Sequence, residues 1–436
     1  MSRSFRIRRP ALRTPALLAA ALGIGAAAPA SPFPEKTLPA AFGLQLKPRD
    51  TAPETLDAVK AAGFRLVRRG FHWETVEPSK GVYDFAGYDA FLDEARKRGL
   101  RVLGCIAFGN KLYGPVREPA GRAAYAAFAA ALARRYKDHA VLWELWNEPN
   151  TMTFWGRHGK KGNTEAYAVE YAELVKTTVP AMRAADPGCF VMAGSVSCLW
   201  PESYVWIDAC FRHGIRDAGI DAWSVHPYNS KSPEENIPKF AQVRSILAKH
   251  GVADLPLVNS ERGYPIRKAE GWAGGPDSLA PEFQAWHLVR QHLVDLLCDV
   301  RATVWYEWSG DDFGICPSPG KPRPALLAAR VLAEQLDGYA FSRRIPLGSP
   351  SDFALLFEKP TGEQKAAVWT SPPDGQTPDK AVPHAVELAA PGAGPFAVCD
   401  HLGATSAAEA KGGRITVTLT GAPRYVALRG AAGSRP

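Results

Sequence analysis

Two glutamates, each closing a short apolar run, carry the most chemical information in this 436-residue chain. Glu148 follows Val141 to Trp146 in the stretch Leu145-Trp146-Asn147-Glu148-Pro149-Asn150, where Pro149 ends the extended run. Glu261 closes Leu257-Val258-Asn259-Ser260-Glu261 and is followed by Arg262-Gly263. Carboxyls delivered by the ends of two buried strands to one mouth suit attack on a glycosidic bond. Cleavage with retention needs them roughly 5–5.5 Å apart, one as acid/base and one as nucleophile. Glu148 is assigned the acid/base role and Glu261 the nucleophile.

The neighbouring residue types fit that chemistry. Asn147 can hold a sugar 2-hydroxyl, a hydrogen bond that strengthens towards an oxocarbenium-like transition state. His226 and Tyr228, in Ser224-Val225-His226-Pro227-Tyr228, are expected to hydrogen-bond Glu261 and keep it ionised, with Arg68 helping by its charge. In Thr303-Val304-Trp305-Tyr306-Glu307-Trp308, alternation lets one of the two indoles face the mouth. Trp308 is expected to be the sugar platform and Trp305 to pack in the core. Phe154 and Trp155 are candidate platforms for outer sugar units, as are Tyr113, Trp200, Tyr264 and Trp272, and Asn110 is a further substrate-binding candidate. No HExxH or comparable metal spacing occurs, and Glu307, Asp311 and Asp312 read as a solvated loop. A GxSxG, a P-loop and a dinucleotide fingerprint are also missing, so no metal or organic cofactor is expected.

Such residues need strands to deliver them. From about residue 40 the chain alternates apolar runs with helical stretches, the pattern of βα units on a parallel sheet. Eight strands are expected, at 41–46, 64–69, 101–107, 141–146, 189–195, 221–226, 255–261 and 302–308. Helices are expected over Tyr88–Arg98, Pro119–Arg135, Thr164–Ala185, Ile237–His250, Pro281–Leu297 and Pro324–Leu336. Pro119, Pro281 and Pro324 stand where a first helical residue tolerates proline. The fold class is therefore α/β, a (β/α)8 TIM barrel over residues 38–340. Past that point strands alternate with Gly/Pro/Asp turns. Ile415, Val417 and Leu419 share one face and three threonines the other, as in a half-buried antiparallel strand. Residues 341–430 are expected to form a small antiparallel β-sandwich, with Gly430–Pro436 frayed.

Residues 1–30 read as a signal peptide: five arginines, an Ala/Leu-rich run and a small-residue site at Ala28-Pro29-Ala30. That run is too short and Ala-rich for a stable membrane span. Export to the periplasm or the exterior is the expectation. Without the five arginines the net charge falls from +8 to +3, too small an excess to argue for a nucleic-acid partner. Seven scattered cysteines show no CxxC spacing, and their apolar neighbours favour buried thiols over disulfides.

Taken together, these blocks resemble the clan A retaining glycoside hydrolases, and most closely the family 39 type with its bacterial exopolysaccharide-associated endoglycosidase relatives. The resemblance runs through Leu66-Val67-Arg68-Arg69-Gly70-Phe71-His72-Trp73, Val76-Glu77-Pro78 and Gly81-Val82-Tyr83-Asp84-Phe85. It continues in Trp146-Asn147-Glu148-Pro149-Asn150, Ser224-Val225-His226-Pro227-Tyr228, Ser260-Glu261-Arg262-Gly263-Tyr264 and Trp305-Tyr306-Glu307-Trp308. It implies double displacement on a β-linked poly- or oligosaccharide, the one partner expected. Ala107 and Gly70 depart from the residues common in these relatives, which bears on the sugar accepted. The alternatives are a catalytically inactive carbohydrate-binding barrel, a transglycosylating one, and an inverting hydrolase with a wider carboxyl gap.

Overall fold

Each apolar run expected as a strand between residues 41 and 308 becomes one, and alternate side chains point into one shared interior. In the computed structural model these are β1 (Phe42–Gln45), β2 (Leu66–His72), β3 (Arg101–Ala107), β4 (Leu142–Leu145), β5 (Phe190–Ser197), β6 (Ala222–His226), β7 (Leu257–Arg262) and β8 (Val300–Trp305). All eight are parallel, and β8 pairs back onto β1 through Phe42 and Thr303, closing the barrel. The structure describes residues 37–429 apart from 39–40, 157–161, 163, 267–279, 311, 319, 374–375, 377 and 391–394. Residues 1–30, the tail Gly430–Pro436, Trp272 and Asp311 lie outside the described residues.

Helices follow the strands in turn: α1 (Pro53–Ala61), α2 (Ala86–Lys97), α3 (Pro119–Arg135), α4 (Glu165–Ala185), α5 (Pro201–Arg212), α6 (Asn236–Lys249), α7 (Pro281–Leu297) and α8 (Pro324–Gln335). Pro119, Pro281 and Pro324 do occupy first helical positions, where their missing N–H costs nothing. Two helices go beyond the sequence reading, α1 and α5. Both are amphipathic, burying Leu56 and Val59 in one and Trp206, Ile207 and Cys210 in the other.

Inside the barrel the strands supply a floor of Ala41, Leu66, Leu103, Leu142, Met192, Ala222, Val258, Ala302 and Val304, none more than 7 % exposed. Two residues further along, the same alternation brings a polar layer: Arg68 above Leu66, Glu144 above Leu142, Ser224 above Ala222 and Ser260 above Val258. Strand β2 runs on to His72, so Arg68 lies inside it rather than at its end. Strand β8 starts and stops earlier than expected, and Trp308 lies beyond it.

The chain ends in an eight-stranded antiparallel sheet: β9 (Ala340–Arg344), β10 (Asp352–Glu358), β11 (Gln364–Thr370), β12 (His384–Ala389), β13 (Pro395–Asp400), β14 (Thr405–Lys411), β15 (Arg414–Leu419) and β16 (Arg424–Arg429). Its spatial order is β12-β15-β14-β13-β16-β11-β10-β9, and it curls to enclose its own apolar core, including Leu356, Val368, Leu388, Val417 and Val426. Strand β15 alternates exposed and buried residues as its sequence demands. Trp369 on β11 crosses to the barrel, donating from Nε1 to Glu234 at 2.7 Å, while Arg290 of α7 donates from Nε to the same carboxylate oxygen at 2.7 Å. All seven cysteines are free thiols, five of them buried.

Candidate active site

Arg68 organises the mouth of the barrel. Its guanidinium is 3 % exposed and each nitrogen has work. Nε donates to Glu144 at 2.8 Å, Nη1 to Gln45 at 2.9 Å and to Glu261 at 2.6 Å, and Nη2 to Asn147 at 2.8 Å. Such a planar fork suits several carboxyl and amide acceptors at once. Burial opposes the charge on Glu144, but the Arg68 cation and hydroxyl hydrogen bonds prevail, holding that carboxyl below the usual range.

Glu261 is reached from two sides: Arg68 binds Oε2, and the Tyr228 hydroxyl donates to Oε1 at 2.9 Å. Arg262 lies across the Tyr228 ring, 5.1 Å from its centroid, and donates to the Ser230 carbonyl at 2.6 Å, which holds the Tyr228 loop. Ser260 and Glu261 are consecutive, yet both make contacts at the mouth. The β7–β8 register shifts between Asn259 and Arg262, and such an irregularity re-aims a side chain that alternation would turn away.

Glu148 stands just past β4 with φ +50°, and Trp146 has φ +70°, a region that strains residues with a Cβ. A chain of polar side chains stabilises this bend. The Ser224 hydroxyl donates to Glu144 at 2.7 Å and accepts the Ser195 N–H at 2.8 Å. The Ser195 hydroxyl donates to the Trp146 carbonyl at 3.1 Å and accepts the Glu148 N–H at 3.0 Å. Beyond the bend, Asn150 is clamped to Ser197 by two backbone hydrogen bonds of 2.8 and 2.9 Å.

His226 corrects the sequence reading. Its Nδ1 faces Glu148 Oε1 at 3.1 Å and its Nε2 faces Ser260 Oγ at 3.0 Å, so the imidazole serves Glu148, and the phenol alone of the two serves Glu261. The reason is alternation: His226 follows Ser224 on the face of β6 that already meets Glu144. One ligand-type atom from each of Glu148, His226 and Glu261 lies within 4.8 Å of the other two.

A cavity of about 180 Å³ opens beside Glu261, lined also by Lys47, Arg68, His72, Asn147 and Tyr306 among others. Trp308 is not among its lining residues. It is 6 % exposed, packs in the main apolar core and donates its backbone N–H to the Gln45 carbonyl at 3.0 Å. With the strand ended at Trp305, Tyr306 is the aromatic residue that β8 sends to the cavity. Trp305 is buried, as expected. Cys105 also lines the cavity, but burial pushes its thiol up to about 12, which removes it as a nucleophile.

Three other candidates have structural duties. Asn110 uses its amide on the Glu77 carbonyl at 2.8 Å and the Leu112 N–H at 3.0 Å. Trp155 is 4 % exposed, edge-on to Trp146 and donating to Glu170 at 3.0 Å. Tyr264 is buried under Arg262, whose guanidinium lies 3.6 Å from the ring centroid. Phe154 is half-buried and Trp200 is 42 % exposed. Glu307 is no solvated loop residue: it is 3 % exposed and pairs with Lys47 at 2.8 Å, and burial pushes its carboxyl up to about 7. Sequence reasoning passed over Glu144, Ser195, Ser224 and Ser260. Glu144 had a signal, being a lone acid inside Leu142-Trp143-Glu144-Leu145.

A family model described as Cellulase (glycosyl hydrolase family 5) matches residues 30–251, just over half of the 436 residues. A Beta-xylosidase of Geobacillus stearothermophilus is 28% identical over 133 residues, covering 27% of this chain and 24% of that protein. The chain thus aligns with about a quarter of that relative's length. Among solved structures, a family 39 glycoside hydrolase from the gut symbiont Bacteroides cellulosilyticus WH2 superposes with TM-score 0.73 at 22% identity, over 89% of this chain and 81% of that one. The GH39 enzyme of Xanthomonas axonopodis pv. citri gives 0.61 at 16%, over 88% and 93%. Both share the fold, in line with the family 39 resemblance in the sequence. With a family model matched over residues 30–251, the chain belongs to the Cellulase (glycosyl hydrolase family 5) family of clan A.

Proposed function

We propose that the protein is an exported, retaining glycosidase that cleaves β-linked poly- or oligosaccharides through a covalent glycosyl–enzyme intermediate. The observation that carries the reading is the approach of a Glu148 oxygen to within 4.8 Å of a Glu261 oxygen. Inversion calls for roughly 6.5–9.5 Å between the carboxyls, with room for a water; retention calls for roughly 5–5.5 Å.

In this reading Glu261 attacks the anomeric carbon while Glu148 gives its proton to the departing oxygen. Glu148 then takes a proton from water as that water displaces Glu261. Arg68 and Tyr228 hold both oxygens of Glu261, fixing the orientation of the carboxyl that attacks. Asn147 has its carbonyl oxygen held by Arg68, which leaves its amide N–H2 for a sugar hydroxyl. The basic, Ala/Leu-rich residues 1–30 support export.

The test is incubation of the protein, beside Glu261→Gln, with β-linked polysaccharides and aryl β-glycosides, following the first-formed anomer by NMR. New reducing ends of retained configuration, absent with the variant, are expected. An inverted product overturns the double displacement, and binding without turnover favours a binding barrel. Export is checked by fractionating cells that express the chain with and without residues 1–30.

A further inference from the structure

Beside the catalytic cavity lies a second one of about 400 Å³, formed by the loops after β3 and β4, and Phe108 lines both. Its walls include Phe154, stacked on Phe108 at 5.5 Å between centroids and 8° between planes, and the edge of Trp146. Arg117 is the sole charge among the described residues that line it. One guanidinium nitrogen, Nη1, is tied to the Trp155 carbonyl at 3.3 Å, which fixes the side chain's aim. The Nε–Nη2 edge makes no hydrogen bond to the described residues, although Nε is buried. A buried donor without an acceptor costs free energy that an incoming acceptor recovers. A planar edge of two parallel N–H groups matches a carboxylate in particular.

We propose that this cavity is an outer subsite for a sugar bearing a carboxylate, so that the preferred glycan contains uronic-acid units, with the carboxylate received by Arg117 and the ring resting against the stacked pair Phe108 and Phe154. The proposal rests on the glycosidase reading and names the substrate class within it. A sugar bound here is continuous with one over Glu261, because Phe108 borders both.

The test uses Glu261→Gln protein and oligosaccharide digests of glucuronoxylan, alginate and xanthan, each in native and carboxyl-reduced form, with dissociation constants read by calorimetry. At least one native glycan is expected to bind about tenfold or more tightly than its reduced form, the size of one charge-assisted contact. Adding Arg117→Gln should collapse that ratio to near one, and Arg117→Lys should keep part of it. A merely structural role for Arg117 would weaken both forms alike and leave the ratio standing, which overturns the proposal. A native-to-reduced ratio near one for every glycan, or failure of all native glycans to bind, overturns it too. Turnover of an aryl β-glycoside by the unaltered protein reports separately on the catalytic reading.

Discussion

Arg68 donates from Nη1 to Glu261 at 2.6 Å and to Gln45, while its other nitrogens hold Glu144 and Asn147, so one buried cation sets the positions of four side chains. A lysine at this position keeps the charge but gathers its three donors on one nitrogen, which cannot span four separated acceptors. Arg68→Lys is expected to leave Glu144 short of a partner and cost about 3–5 kcal/mol, the scale for breaking a buried ion pair. Thermal unfolding and kcat on an aryl glycoside check this; near-normal values for both would refute the organising role.

The acid/base assignment separates from the nucleophile by leaving group. Glu148→Ala should spare substrates with activated phenols far more than natural glycans, because only the latter need a proton on the departing oxygen. Glu261→Gln should abolish turnover of both without unfolding the protein. Equal losses on both substrate types with Glu148→Ala would count against its role.

Ser195 bridges the Trp146 carbonyl and the Glu148 N–H across a bend held at positive φ. Ser195→Ala removes both contacts in a buried site. A loss of about 1–3 kcal/mol is expected, together with a lower kcat at little changed KM. An unchanged kcat would mean that the bend holds Glu148 without the hydroxyl.

Asp295, on α7 against β7 and β8, gives stability an inverse pH dependence. Burial pushes its carboxyl up to about 7, against hydrogen bonds from Thr303 at 2.7 Å and Asn259 at 2.8 Å. A folded-state value above the unfolded one means that the folded chain holds the extra proton. The contribution is therefore complete below about pH 4 and is lost as pH rises to about 7. Asp295→Asn mimics the protonated form, so its melting temperature relative to the unaltered protein should climb from pH 5 to pH 8. A flat difference would rule out this titration.

Trp369 ties the C-terminal sheet to Glu234, on the loop that also carries Tyr228 and Ser230. Trp369→Phe keeps the ring stack on Phe353 and loses the N–H. Destabilisation of about 1–3 kcal/mol is expected, with a drop in kcat if the loop shifts Tyr228. Denaturant melts and kinetics on the same preparation measure both.

The barrel was legible because its strands are buried on both faces and read as continuous apolar runs between Pro and Gly joints. Glu148 and Glu261 were legible because acids at the ends of such runs have few other reasons to be there. Pairings were harder. Whether His226 meets Glu148 or Glu261 depends on side-chain direction at the strand end, and the shift in β7 breaks the alternation from which direction is inferred. Trp308 was misplaced by extending β8 three residues too far, past the point where Tyr306 turns into the cavity. Strands β12 and β14 are hard to read from sequence because their faces are largely exposed and carry little apolar contrast.

The floor of nine small and branched side chains has a consequence for traffic through the enzyme. A plugged barrel is a blind alley: what enters over Glu261 leaves by the same doorway. Under the proposed double displacement, the severed half of the glycan has to clear that threshold before water can reach the glycosyl–enzyme bond.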